Sequence, residues 1–290
     1  MNAAAAVSEL IGEQAVAASR LAAGATGDIF TVELADGNLV VAKTVRAETL
    51  GATAVEAAGL AWLAEADAVA VPAVRAHDGN WLVIEYVAPG EPTAAAAERF
   101  GRELATLHAA GAPAHGAPPA PVAAQAWIGA APMVNVACPD WPEFYVEHRV
   151  RPYLELATAS GALDAAATRV LAMAAEAVPE VAGPPEPPAR LHGDLWSGNV
   201  HAGRDGRMWL LDPAAHGGHR ETDLAMLALF GAPYLDRILA AYQEAAPLAD
   251  GWRRRVPLHQ LFPLLVHTVL FGSAYAARTA AAAHAVLALR

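Results

Sequence analysis

The chain has 290 residues and a mass of 30.0 kDa, which is enough for one or two domains with a sizeable core. Hydrophobic residues make up 55% of it and charged residues 17%, which excludes disorder for most of the chain, because disorder needs low hydrophobicity and high net charge. The formal net charge of −11 argues against a nucleic-acid partner, since a general nucleic-acid binder is expected to be basic.

Three further features of the composition predict a soluble cytoplasmic protein. The single cysteine, Cys138, excludes an internal disulfide framework and a metal knuckle of paired cysteines. Residues 1–7 contain no basic residue and do not resemble a secretory signal peptide. The apolar stretch 261–275 includes Pro263 and His267 and lacks the roughly 18 apolar residues of a membrane-spanning helix. We therefore expect no membrane partner.

Residues 1–88 have the pattern of a strand-rich lobe. Short apolar runs separated by turn residues indicate strands, and Asp36-Gly37 is a typical hairpin turn. Strands are predicted over 29–34, 39–43, 69–74 and 81–87, and a helix over 52–66 from its apolar spacing. The lobe ends just before Pro89-Gly90-Glu91-Pro92, which interrupts regular structure and predicts a hinge.

Residues 89–290 have the pattern of a second, mainly helical lobe. Helical spacing covers 95–110, 141–159, 163–178 and most of the chain after residue 222, with proline-rich interruptions at 111–121 and 179–188. One small β region is predicted within this lobe, over 190–200 and 208–211. A β-rich lobe, a hinge and a helical lobe together predict an α+β, bilobal fold.

The most informative stretch is LHGDLWSGNV at 191–200. Its skeleton of His192, Asp194 and Asn199 is followed by Asp212, and kinase-type phosphoryl transfer needs such a set. One carboxylate must accept or orient the proton of the substrate hydroxyl, while a carboxamide oxygen and a second carboxylate hold Mg²⁺. We therefore assign Asp194 to catalysis and Asn199 and Asp212 to the metal. Each piece alone is more typical of an ordinary turn or a strand-end cap, so the prediction depends on their combination.

Lys43 and Glu56 complete the set from the first lobe. Lys43 ends the apolar run Val40-Val41-Ala42, where its amine could reach the α- and β-phosphates of ATP. Glu56 lies on the next predicted helix and could fix that amine by an ion pair. Glu48 and Glu65 compete for the same role, because they lie on the same segment.

Two backbone segments are predicted to bind ATP as well. The first is the loop from Gly24 to Asp28, in which Gly24 and Gly27 would let backbone N–H groups approach phosphate. This loop lacks the full glycine motif, and an ordinary hairpin is the alternative. The second is Glu85-Tyr86-Val87, at the end of the strand before the hinge, whose backbone could pair with an adenine edge.

With these residues in place, the sequence resembles the fructosamine kinase (ketosamine-3-kinase) family from about residue 21 to residue 275. The resemblance is carried by LHGDLWSGNV, by Asp212-Pro213-Ala214, by HGGHRETDLAM at 216–226 and by WPEFYVEHR at 141–149. The spacing of His, Asp and Asn alone marks the wider group of aminoglycoside-phosphotransferase-like kinases. The filling Trp196-Ser197-Gly198 and the run 216–226 narrow the resemblance to the one family.

The resemblance implies a bilobal protein-kinase-like fold that uses ATP and Mg²⁺. It implies phosphorylation of the 3-hydroxyl of a ketosamine, whose sugar is attached to an amine of a small molecule or of a protein. The resulting 3-phosphate is unstable and its loss frees the amine, so the family is associated with deglycation and protein repair. Bacterial-type members are associated more with ribulosamines and erythrulosamines than with fructosamines.

Several residues of the resembling segments keep two interpretations. Trp196, His219, Arg220 and Glu221 are candidate substrate residues. A packed core tryptophan is the alternative for the first, and a surface ion pair for the last two. Asp223 is expected to accept backbone N–H groups of the catalytic loop, and His192 is interpreted as an internal hydrogen-bond partner.

Two other functions remain open from the sequence. The first is a small-molecule O-kinase of the same fold that acts on an aminoglycoside, an amino alcohol or a free sugar. The second is a nucleotide-binding pseudokinase that acts by interaction. The presence of Lys43, Asp194, Asn199 and Asp212 argues against the pseudokinase, because such proteins typically lack at least one of them.

Overall fold

The structure is a computed structural model that describes residues 2–122 and 124–290. Met1, the first residue of the predicted N-terminal lobe and of the segment assessed as a signal peptide, lies outside the described residues. So does Ala123, which falls within the predicted second lobe. Everything below concerns the described residues.

The N-terminal part of the chain is a five-stranded antiparallel sheet with the strand order β1-β2-β3-β5-β4. Its elements are α1 (Ala3–Ile11), β1 (Ala15–Ala23), β2 (Asp28–Leu34), β3 (Leu39–Thr44), α2 (Ala52–Ala64), β4 (Val74–His77) and β5 (Trp81–Glu85). The predicted strands 29–34, 39–43 and 81–87 and the predicted helix 52–66 are confirmed to within two residues at each end.

The strand predicted over 69–74 is wrong, because regular pairing begins only at Val74. Val69 and Ala70 are buried in the core, and the Ala70 carbonyl accepts a hydrogen bond from the Leu210 N–H at 2.8 Å. These apolar residues therefore join the sheet region to the helical part instead of extending β4. An apolar run has the same appearance in either position.

Both faces of the sheet are covered by helices. Val40 and Ala42 of β3 pack in the cluster that contains Val7 of α1. Side chains alternate along a strand, so Lys43 points to the opposite face, where α2 packs. This alternation explains how a lysine at the end of an apolar strand meets Glu56 on α2.

The C-terminal part is mainly helical, with three two-stranded sheets. Its elements are α3 (Ala94–Ala109), β6 (Gln125–Ile128), β7 (Ala131–Val134), α4 (Trp141–Tyr145), α5 (Arg151–Ala159), α6 (Ala165–Val181), β8 (Ala189–Leu191), β9 (Val200–Ala202), β10 (Met208–Leu210), β11 (His216–Gly218), α7 (Arg220–Phe230), α8 (Leu235–Ala245), α9 (Trp252–Phe271) and α10 (Ala276–Leu287).

The predicted helices of this part are confirmed, with one refinement. The helix predicted over 141–159 is divided into α4 and α5 by a π-helical turn at Val146–Val150. The β6–β7 hairpin and β11 are not predicted, because strands of three or four residues rich in Ala, Gly and Pro lack the apolar alternation that marks a strand.

The connection between the two parts is bound to the turn between β9 and β10. The Gly90 N–H donates to the Ala202 carbonyl and the Arg204 N–H donates to the Ala88 carbonyl, both at 2.8 Å. A Cβ at Gly90 would lie 2.5 Å from the Gly203 carbonyl oxygen, so only glycine allows this approach. The lobe boundary between residues 88 and 89 lies at this connection and stays a prediction.

One helical run, Trp252–Leu287, is long and apolar enough by length and composition to cross a membrane. The shorter stretch 261–275, on which the sequence prediction of no membrane span was based, does not show this property. Within the fold, α9 carries Leu258, Leu261 and Phe262 into the main hydrophobic core. Eleven of the 20 residues of α9 are buried, so packing in a core accounts for part of the apolar composition of this helix.

Candidate active site

A cavity of about 280 Å³ lies between the sheet and the helical part. Its walls come from the loop between β1 and β2, the ends of β3 and α2, the 191–200 segment, the residues before β11, the β6–β7 hairpin and α9. The polar and aromatic residues among them are Thr26, Lys43, Thr44, Glu56, Trp127, Asp194, Trp196, Asn199, Asp212, His267 and Phe271.

The 192–194 turn is held by a buried carboxylate at the start of α7. Asp223 accepts hydrogen bonds from the His192 N–H at 2.8 Å and from the Gly193 N–H at 3.0 Å. Gly193 has a φ of 82°, and a Cβ there would lie 2.1 Å from the Ala214 carbonyl oxygen. Asp223 therefore has its predicted role, and Gly193 is the residue type that the turn requires.

His192 is an internal hydrogen-bond partner, as predicted. Its Nε2 lies 2.8 Å from the Leu211 carbonyl oxygen and its Nδ1 accepts from the Asp194 N–H at 3.2 Å. Because a carbonyl only accepts, we assign the proton to Nε2. Burial lowers the pKa of His192, which keeps the ring neutral in this role.

Asp194 lies half-buried at the floor of the cavity. The Asn199 Nδ2 donates to its carboxylate at 3.1 Å and to its backbone carbonyl at 2.8 Å. Burial raises the pKa of Asp194 to about 7, against the opposing effect of the Asn199 hydrogen bond. A carboxylate with such a pKa is suited to accept a proton near neutral pH.

Lys43 joins the two halves of the site. Its Nζ donates to the Glu56 carboxylate at 2.6 Å and also contacts the Asp212 carboxylate. The competing carboxylates Glu48 and Glu65 are exposed to solvent. The predicted pairing of Lys43 with Glu56 is therefore present, and Asp212 is a second partner that the spacing did not reveal.

Asp212 has an unusual backbone conformation, with a φ of 52°. Asp tolerates this left-handed region better than most residues. Its side chain is 46% exposed, and its carbonyl lies 3.5 Å from the Asn199 Nδ2. The structure thus brings Asp194, Asn199 and Asp212 together at one cavity wall.

The loop between β1 and β2 is held over the same cavity. The Gly24 N–H donates to the Gly27 carbonyl at 2.7 Å, and an Arg46 Nη donates to the Ala25 carbonyl at 2.8 Å. A Cβ at Gly27 would lie 2.1 Å from the Thr44 carbonyl oxygen. Close packing against β3 therefore requires Gly27, whatever role its N–H has toward phosphate.

Asp28 and the segment before the hinge do not line the cavity. The Asp28 carboxylate pairs with Arg20 at 2.7 Å on the surface of the sheet. Glu85 ends β5, two residues earlier than the predicted strand end at Val87, and the Glu85 N–H donates to the Ala73 carbonyl at 2.9 Å. The predicted contacts of these residues with ATP stay predictions.

Trp196 lines the cavity with a side chain that is not packed in the core. It is 37% exposed, and a Cβ at Gly198 would lie 2.2 Å from its ring. It makes a T-shaped contact with Phe230, with ring centroids 5.9 Å apart. This is the position expected of a substrate residue, although the contact itself stays a prediction.

His219, Arg220 and Glu221 lie at the start of α7 and are not among the cavity-lining residues. Glu221 is buried against Arg255, with N–O distances of 2.5 and 3.0 Å, and Arg220 pairs with Glu186 at 2.7 Å. Burial alone would raise the pKa of Glu221, but His259 and Arg255 lower it to about 2. The segment therefore makes buried ion pairs with other partners, and the structure offers no support for its substrate role.

The sequence did not predict the part of the cavity wall that is formed by α9 and the β6–β7 hairpin. Val266, His267, Leu270 and Phe271 reach the cavity from α9, and Trp127 reaches it from β6. The spacing of apolar residues predicts the helix α9. It does not predict which residues of this helix line a cavity whose other walls come from distant parts of the sequence. The sequence signal that covers this wall is the family resemblance, which extends to about residue 275.

We expect that Asp223→Ala destabilises the fold by about 2–4 kcal/mol, because buried N–H groups lose a charged acceptor. The His108 Nε2 at 3.2 Å loses the same partner. The control is Asp164→Ala, which removes an exposed helix cap worth about 1 kcal/mol. Urea unfolding followed by circular dichroism compares the two, and equal losses would contradict the buried role.

Comparison with known proteins places this geometry among phosphotransferases. A family model described as fructosamine kinase matches residues 1–289. A crystal structure from Thermobifida fusca, provisionally named a fructosamine-3-kinase, is 46% identical, with a TM-score of 0.92 over 99% of each chain. The chloroplastic protein-ribulosamine 3-kinase of Oryza sativa subsp. indica is 32% identical over 203 residues, 68% of this chain and 56% of that protein.

A more distant structure shows how widely the fold is shared. A macrolide 2'-phosphotransferase from Brachybacterium faecium has a TM-score of 0.65 over 96% of each chain at 19% identity. At that identity the likeness concerns the fold alone. The predicted α+β, protein-kinase-like fold is confirmed by these comparisons.

Proposed function

This chain belongs to the fructosamine kinase family, and we propose that it transfers the γ-phosphate of ATP to the 3-hydroxyl of a ketosamine. The acceptor is a sugar on an amine of a small molecule or of a protein. The observation that carries the proposal is that Lys43, Asp194, Asn199 and Asp212 line one cavity. Because ATP is an intracellular substrate, we also propose that the enzyme works in the cytoplasm.

The residues of the cavity divide the reaction between them. Asp194 accepts the proton of the 3-hydroxyl as that oxygen attacks phosphorus. Lys43, which Glu56 holds at 2.6 Å, neutralises phosphate charge. Within the Gly24–Asp28 loop the N–H groups of Gly24 and Asp28 already have acceptors, so Ala25, Thr26 and Gly27 present theirs to the same phosphates. Catalysis of this kind consists mainly of positioning and charge stabilisation.

We propose Mg²⁺ as the cofactor, with Asn199 and Asp212 as its protein ligands. A carboxylate and a carboxamide oxygen suit this hard cation. Asn199 uses its Nδ2 to bind Asp194, which leaves its Oδ1 for the metal. When bound, Mg²⁺ neutralises charge on the phosphates and helps to align them.

The charge distribution of the cavity favours a ketosamine over an aminoglycoside. Its carboxylates are Glu56, Asp194 and Asp212, and all three belong to the transfer apparatus. An aminoglycoside carries several ammonium groups, and ammonium groups removed from water need charged or polar partners. The remaining lining is rich in aromatic and apolar side chains, which suits a substrate with a single amine.

Transfer to the 3-hydroxyl would also account for deglycation. A ketosamine 3-phosphate is unstable, and the loss of its phosphate frees the amine. Release of the amine after phosphorylation would therefore indicate phosphate on carbon 3. The same observation would show deglycation.

We expect ADP release with ribulosamine and erythrulosamine of N-acetyl-lysine, less with fructosamine, and at least about tenfold lower kcat/KM with kanamycin. A coupled ADP assay measures the rates, and mass spectrometry detects the freed N-acetyl-lysine. Faster turnover of kanamycin than of every ketosamine would overturn the substrate class. ATP binding without turnover of any acceptor would favour the pseudokinase.

A further inference from the structure

His267 on α9 lies at the centre of an aromatic cluster beside the catalytic groups. Its ring centroid is 4.9 Å from that of Phe230, 5.5 Å from that of Phe271 and 4.9 Å from that of Tyr275. Trp196 makes a T-shaped contact with Phe230. We call Trp196, Phe230, His267, Phe271 and Tyr275 the His267 cluster. Three of its members, Trp196, His267 and Phe271, line the cavity that contains Asp194.

The hydrogen bonding of His267 determines which ring nitrogen can accept a hydrogen bond from a ligand. Its Nδ1 lies 2.7 Å from the Pro263 carbonyl oxygen, which can only accept, so Nδ1 carries the proton. In the neutral ring Nε2 is then an acceptor. Burial lowers the pKa of His267, and the nearby Arg278 guanidinium lowers it further, so the neutral form prevails at pH 7.

Large aromatic surfaces at the cavity mouth remain open to solvent. Phe271 is 60% exposed, and Trp196 of the same cluster is also exposed. A contiguous exposed apolar patch at a cavity is one of the marks of a ligand-binding groove. An aromatic face also attracts a cation, which isolated aliphatic groups do not.

We propose that the His267 cluster is the subsite for the ammonium group of the ketosamine and for the first carbons of the substituent on that amine. This inference rests on the proposed function. In a ketosamine, carbon 2 alone separates the phosphorylated carbon 3 from carbon 1, which bears the amine. An acceptor whose 3-hydroxyl meets Asp194 must therefore place its amine within the same cavity.

The chemistry of the wall fits that group. The ammonium N–H can donate to the His267 Nε2, and its positive charge is stabilised by the faces of Trp196 and Phe271. The carboxylates of the cavity are committed to Lys43 and to the transfer site, so recognition of the amine has to use other groups. Phe271, at the mouth, would cover the alkyl chain that leads away from the amine.

The test compares each variant on a ketosamine and on the matching free ketose. His267→Phe keeps an aromatic ring and removes the acceptor, whereas His267→Gln keeps an acceptor oxygen. With N-ribulosyl-acetyl-lysine, we expect H267F to lower kcat/KM about tenfold, since a hydrogen bond to a charged group is lost. With ribulose we expect less than a twofold change, and H267Q should recover much of the loss.

A second variant tests the apolar part of the subsite. Phe271→Ala should lower kcat/KM for an N-butyl ribulosamine more than for the N-methyl compound. We expect the two losses to differ by about fivefold. The control is Met173→Ala on α6, an apolar residue that is similarly exposed, at 52%, and does not line the cavity. This control should leave both values unchanged.

The outcomes separate this subsite from the proposed function. If the wild-type enzyme phosphorylates ketosamines and H267F loses activity equally on ketosamine and ketose, the subsite is overturned and the function stands. If H267F raises the KM for ATP as much as that for ketosamine, the subsite is also overturned. A wild-type enzyme that phosphorylates no ketosamine overturns both.

Discussion

Asp194→Asn will lower kcat by at least about 10²-fold, the scale of general-base loss, while Mg-ATP affinity stays close to that of the wild type. The substitution removes the proton acceptor but keeps an oxygen that can receive the Asn199 hydrogen bond, now 3.1 Å long. The 192–194 turn should survive, because Asp223 holds it through backbone N–H groups.

The matched control is Asp205→Asn in the exposed turn between β9 and β10. Asp205 accepts from the Arg207 N–H and from the Trp209 Nε1 and does not line the cavity, so we expect wild-type turnover. Steady-state kinetics and nucleotide titration compare the two variants. Near-normal kcat in D194N would remove Asp194 from the catalytic role.

The wild-type pH profile gives a second readout for Asp194. Burial raises its pKa to about 7, and only the ionised form accepts a proton. Below that pH the protonated fraction grows, so kcat/KM should fall as the pH is lowered and should level off above it. In D194N the residual activity should lack this limb.

The parts of the site that are local in sequence could be predicted. Asp194 and Asn199 lie five residues apart in one segment. Lys43 lies at the end of a strand, and the alternation of side chains along that strand predicts the face to which the lysine points. In each case the residue type and its neighbours restrict the geometry before any tertiary contact forms.

The parts that depend on tertiary packing could not be predicted. His219, Arg220 and Glu221 belong to a family-like segment, yet Glu221 is buried against Arg255, which lies 34 residues further along the chain. The cavity wall that includes His267 comes from the long helix α9. The spacing of apolar residues predicts that a segment is helical, but it does not predict which other segment the helix packs against. A polar residue on such a helix can form an ion pair in the core or can line a pocket.

Asp212→Ala will abolish Mg²⁺-dependent turnover, with a loss of about 10²-fold or more, because the metal contributes several kcal/mol of charge stabilisation. It also removes one partner of Lys43. The fold should survive, since the Asp212 side chain is 46% exposed and its loss leaves no buried void. Its left-handed backbone, with a φ of 52°, will cost Ala about 1–2 kcal/mol.

Asp212→Asn isolates the charge from that backbone cost, because Asn tolerates the left-handed region and keeps the size of the side chain. We expect D212N to be as stable as the wild type and still to lose most Mg²⁺-dependent turnover, since a neutral amide is a weaker ligand for a hard cation than a carboxylate. Titrating nucleotide with and without Mg²⁺ measures the effect directly: the metal should tighten binding to the wild type and should make little difference in either variant. Two variants with the wild-type metal requirement would show that the cation is held elsewhere, and Asp212 would then act only through its ion pair with Lys43.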